Sequence, residues 1–119
     1  MSKVVYKLVP QNLWQEAEKT GIFSGSPIDL EDGFMHFSTS AQVRETAEKY
    51  FTGHTTLLLV EVSMSILAEH WKWDASRGGD LFPHLYVDLP LNKINWVKLL
   101  SFDDGVHQFP EMDIQTKIA

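Results

Sequence analysis

The run Thr55-Thr56-Leu57-Leu58-Leu59-Val60-Glu61-Val62 constrains the fold more than any other stretch. Its first half is continuously apolar. A strand of that kind has no face to turn toward water, so it belongs at the centre of a sheet covered on both sides. The rest of the chain must supply those two covering layers. Val4-Val5-Tyr6-Lys7-Leu8-Val9, β-branched and aromatic up to Pro10, reads as another strand. Leu13, Trp14 and Ala17 share a helix face, with Asn12 and Gln15 as a capping box and Gly21 as the stop.

Residues 22–33 read as a loop with turn chemistry at Ser24-Gly25-Ser26-Pro27 and an acidic end. Phe34 to Phe37 is a strand that alternates Phe34 and His36 against Met35 and Phe37. Thr39 and Gln42 are a second capping box, opening a helix that carries Val43, Ala47, Tyr50 and Phe51 on one face. Trp71-Lys72-Trp73-Asp74 is a strand with its tryptophans on one side. Ser76 to Pro83 is a loop hinged at Gly78-Gly79, His84 to Val87 a short strand, and Asn95 to Leu100 the last strand. Strict strand–helix alternation is missing. The expectation is one α+β domain over residues 1–102, with a mixed sheet and two main helices, followed by an acidic tail over 103–119.

Ten basic against sixteen acidic residues leave a net charge of −6, which argues against non-specific binding to nucleic acid or anionic membrane. Cysteine is absent, so disulfides, thiolate nucleophiles and zinc–sulfur sites are excluded. The amino-terminal residues lack a signal-peptide pattern and no apolar run reaches membrane-spanning length. A cytoplasmic protein, monomeric or weakly dimeric, is expected.

Two short motifs carry the candidate chemistry. In Asp32-Gly33-Phe34-Met35-His36-Phe37-Ser38-Thr39, a histidine interrupts an apolar strand just before the expected helix start. Backbone amides and the dipole of a helix start attract anions, and Ser38 and Thr39 add hydroxyls there. In Ser76-Arg77-Gly78-Gly79-Asp80-Leu81-Phe82-Pro83-His84-Leu85-Tyr86, Arg77 offers a planar donor fork and Gly78 lets a ligand approach the backbone. His84 and Tyr86, two apart on a strand, share a face, and Asp74 is placed to orient a histidine. The plain alternatives are a core histidine, ordinary capping hydroxyls and a surface arginine turn. The five histidines show no HxH, HxxxH or HExxH spacing, so no metal is expected. The spacings of dinucleotide fingerprints, P-loops and nucleophile elbows are also absent.

These motifs, with the strand leading to Trp14, Asp29, and Gln42 with Thr46, resemble the domain-of-unknown-function 952 family over roughly residues 4–100. That family is small, mostly bacterial and often grouped with ADP-ribosyltransferase-like folds. The resemblance implies a mixed, split sheet around a cleft for NAD or another nucleotide. His36, His84, Tyr86 and Asp74 would be its catalytic residues, and Ser38, Thr39, Arg77 and Gly78 its cofactor-binding ones. Three functions are expected: a cleft for a small anionic ligand such as a nucleotide, with NAD-dependent group transfer if it is an enzyme; a non-catalytic small-ligand module; or a phosphodiester hydrolase or cyclase using His36 and His84 as an acid–base pair. Group transfer needs a cation-stabilising carboxylate, for which Asp74 and Glu111 are the candidates.

Overall fold

The computed structural model describes residues 3–112, except for the side chain of Arg77. Strand β4 (Leu57–Ser63) lies inside a sheet ordered β1-β4-β8-β9, with β1 at Val4–Pro10, β8 at Trp96–Asp103 and β9 at Val106–Gln108. Its apolar run is used on both faces, as expected. Leu58, Val60 and Val62 enter one buried cluster, and Leu57 and Leu59 enter a second one across the sheet.

Helix α1 (Gln11–Thr20) brings Trp14 and Ala17 to the first cluster; α3 (Val43–Tyr50) brings Val43 and Ala47 to the second. A smaller sheet, ordered β3-β6-β5, is built from β3 (Met35–His36), β6 (Leu81–Leu85) and β5 (Trp71–Ala75). It joins the larger sheet through a bridge between Tyr6 and Ser38. A third pair of short strands, β2 (Ile22–Phe23) and β7 (Leu89–Pro90), closes beside α1. Every described ladder is antiparallel, so the fold is α+β with a curled antiparallel sheet rather than a mixed one.

Several local expectations give way to stronger interactions. Helix α1 starts at Gln11 with Pro10 as its N-cap and no capping side chain, because the Gln11 amide donates to Thr56 O of the neighbouring strand. The Asn12–Gln15 box therefore does not form. The stretch read as a loop contains α2 (Pro27–Asp32), six residues held by a capping box between Ser26 and Asp29 with proline at the first turn. This makes three helices among the described residues rather than two. Pro83, expected in a loop, lies within β6, where its carbonyl accepts the Phe37 amide at 3.0 Å.

Residues expected in the tail also pack onto the domain. Asp104 and Gly105, both at positive φ, form a two-residue hairpin turn between β8 and β9. Phe109 and Met112 rest against the second cluster. Residues 113–119 of the tail lie outside the described part.

Candidate functional site

The site is built on one cross-strand pair. In the β3–β6 ladder His36 stands directly opposite His84, so both side chains emerge on one face. Their rings meet edge to face at 5.2 Å between centroids. Phe34 stacks on His84 at 4.3 Å and also touches His36 and Tyr86. On the other side of β6, Asp74 of β5 receives the Tyr86 hydroxyl at 2.7 Å and faces His84 Nδ1 at 2.9 Å, both on Oδ2. The structure thus brings together four residues singled out from sequence: His36, His84, Asp74 and Tyr86.

A fifth and sixth residue complete the cluster, and sequence reasoning did not assign them a role. Lys7 on β1 is buried, with Nζ 2.8 Å from Asp29 Oδ2 and donating to the His36 carbonyl at 2.9 Å. Asp29 is buried as well. Its Oδ2 accepts the Ser26 amide and hydroxyl, and its Oδ1 lies 2.6 Å from His36 Nδ1. The other His36 nitrogen, Nε2, is 3.0 Å from Asp32. The signal for Asp29 was the Ser26-Pro27-Ile28-Asp29 spacing, which is a capping box. The signal for Lys7 was a lysine on the same strand face as Val5 and Val9.

The charges in this cluster are strongly coupled. Burial alone would raise the Asp29 carboxyl, but His36 and Lys7 together hold it well below the ordinary carboxylate range. Burial pushes the Lys7 ammonium below its ordinary value, against the opposing pull of Asp29. The His84 imidazole is pushed below 6.5, first by burial and then by its neighbours His36 and Lys7, with Asp74 opposing. Hydrogen bonds from Tyr86 and His84 lower the Asp74 carboxyl, so it accepts and does not donate. His84 Nδ1 must then be the donor, which leaves the lone pair of a neutral ring on Nε2. Nε2 is buried with no hydrogen-bond partner among the described residues. A buried polar atom left unpaired costs about 1–3 kcal/mol.

His36 and His84 line a cavity of about 530 Å³, together with Lys7, Asp29, Ser38, Thr46 and aromatic side chains that include Phe37 and Phe82. This is the size range of small-molecule sites. Of the expected cofactor-binding residues, Ser38 lines the cavity and its hydroxyl lies 3.2 Å from that of Thr46. Thr39 does not. It exchanges capping hydrogen bonds with Gln42, and regular helix begins only at Val43, so His36 does not stand at a helix mouth. Gly78 sits in an exposed turn after Ser76, itself a lining residue, and does not reach the cavity. The Arg77 side chain lies outside the described part. Among the described residues no three side chains converge as metal ligands, and no helix is long and apolar enough to cross a membrane.

Gly25 explains how α2 is held so close. Its φ is +118°, and a Cβ placed there would stand 2.8 Å from the Asp29 Cβ. Gly25→Ala should therefore cost about 1–3 kcal/mol by combining backbone strain with displacement of Asp29. The check is a urea unfolding midpoint, with Gly53→Ala, open at +92°, as the strain-only control.

Comparison with known proteins agrees with this picture at the level of fold. The crystal structure of CC0527 from Caulobacter crescentus is 43% identical, covering 89% of this chain and 94% of that one, with a TM-score of 0.85. The solution structure of the same protein matches at 43% identity, 88% and 91% coverage and a TM-score of 0.80. No curated protein matches the chain. The family model described as "Protein of unknown function (DUF952)" matches residues 8–97, so the chain belongs to the DUF952 family.

Proposed function

We propose that the cavity is a small-molecule site in which His84 Nε2 accepts a hydrogen bond, or a proton, from a ligand hydroxyl or N–H group. The observation that carries this reading is the buried, unpartnered Nε2 of a ring fixed by Asp74. A nucleotide or NAD-like molecule is the ligand class proposed, because aromatic walls suit a flat ring and the Ser38 and Thr46 hydroxyls suit a sugar. Phosphates would lie outside, toward the turn at Ser76 to Gly79.

NAD-dependent group transfer on an ADP-ribosyltransferase-like fold is the second reading, favoured by the curled sheet around the cavity. It needs a carboxylate beside the reacting ribose. Asp74 and Glu111 do not line the cavity, and Asp29, which does, is committed to Lys7, Ser26 and His36. Binding with proton acceptance by His84 therefore has the stronger support. The paired-histidine phosphodiesterase reading is weaker, since both nitrogens of His36 already face carboxylates.

Thermal-shift titration with nucleosides, nucleotides, NAD and ADP-ribose tests the proposal. At a hundred times its Kd, a true ligand adds about 2.7 kcal/mol. At least one compound should stabilise the wild type and stabilise His84→Phe clearly less, each read against its own unliganded baseline. No stabilisation, or equal stabilisation of both proteins, rejects the reading.

A further inference from the structure

We propose that the cavity receives the uncharged part of its ligand and rejects phosphate, so that the group recognised inside it is an uncharged ring bearing hydroxyl or N–H donors. This rests on the ligand-site reading above and specifies which end of such a ligand is buried.

The observation is that every described charge lining the cavity is already matched. The Lys7 ammonium lies against Asp29 at 2.8 Å and spends a second hydrogen on the His36 carbonyl. The His36 ring lies between Asp29 and Asp32, at 2.6 and 3.0 Å. His84 is tied to Asp74 and held toward the neutral form by burial and by its neighbours His36 and Lys7. No other lysine or arginine among the described side chains lines the cavity.

A phosphate entering this space would leave water without gaining an uncompensated cation among the described side chains, and it would meet the buried Asp29 carboxylate. Burying a charge on those terms is strongly unfavourable. Hydroxyl and N–H groups face no such penalty. They meet hydroxyl groups at Ser38 and Thr46, and the unpartnered His84 Nε2 lies buried in a ring that lines the cavity. The aromatic walls accept the ring itself.

The test compares three probe sets by titration calorimetry and amide-shift mapping at one ionic strength: uncharged nucleosides, their 5′-monophosphates, and inorganic phosphate with pyrophosphate. Nucleosides should bind within about tenfold of their monophosphates, with shifts around His84 and Ser38, and inorganic phosphate should neither bind there nor compete. Thr46→Lys adds an unmatched cation to the lining and should create phosphate binding that the wild type lacks. Monophosphates or pyrophosphate binding more than about tenfold tighter than nucleosides would overturn this inference while leaving the ligand site standing. No binding by any probe would remove the ligand site, and this inference with it.

Discussion

Asp29→Ala should lower the unfolding free energy by about 3–5 kcal/mol, the usual cost of breaking a buried ion pair from one side. The size of the effect follows from how many groups depend on this carboxylate. Lys7 would be left buried with its charge uncompensated, the Ser26 cap of α2 would lose its acceptor, and His36 would lose the partner of its Nδ1. Lys7→Met should cost a similar amount, because it strands Asp29 instead. The double variant Lys7→Met/Asp29→Leu should recover part of the loss, since two packed apolar side chains leave no unpaired charge. A urea-denaturation cycle over the four proteins measures the coupling directly. Simple additivity would mean that the pair contributes nothing beyond its separate side chains.

The same carboxylate sets one acid limit. Its folded pKa is depressed, so the stability it gives is present above its unfolded value of 3.8 and disappears as pH falls through the folded value.

A second acid limit, at milder pH, belongs to His84. Its folded pKa lies below its ordinary value of 6.5, so the folded state resists protonation and the unfolded chain does not. Stability from this group is complete above 6.5 and is lost as pH falls toward the folded pKa. Between those two values the slope from one histidine approaches about 1.4 kcal/mol per pH unit. In His84→Phe that slope should disappear while stability at neutral pH changes little, because the phenyl ring stays on Phe34 and leaves no unpaired nitrogen. Ligand affinity should fall by about 1–3 kcal/mol, on the order of 5- to 150-fold. Urea midpoints of both proteins across the mildly acidic range, with and without ligand, read the two effects separately. An unchanged acid slope in His84→Phe would assign the titration elsewhere.

What the sequence made legible was what period and composition encode. The two-sided burial of Leu57 to Val60 followed from an uninterrupted apolar run, and the separation of Phe34 and His36 from Met35 and Phe37 followed from strand alternation. The same alternation turns Asp74 away from Trp71 and Trp73, toward His84. The pairing of His36 with His84 could not be read, because ladder register is fixed by contacts between segments far apart in the chain. Lys7 escaped for a related reason. A lysine on a strand is ordinarily an edge or surface residue, and only the fold reveals Asp29 waiting beneath it. Helix α2 is too short for periodicity to mark it, although its Ser26–Asp29 box was present in the letters. The Thr39–Gln42 capping box read from the letters does form, and the Thr39 carbonyl accepts the Val43 amide where regular helix begins.

Long-range 1H–15N NMR of the His84 imidazole reads whether Nε2 is an unpartnered acceptor nitrogen. At neutral pH the expected result is a neutral ring protonated on Nδ1, with an Nε2 resonance in the unprotonated range that moves when a ligand donor is added. A ring protonated on Nε2, or an imidazolium at neutral pH, would contradict it.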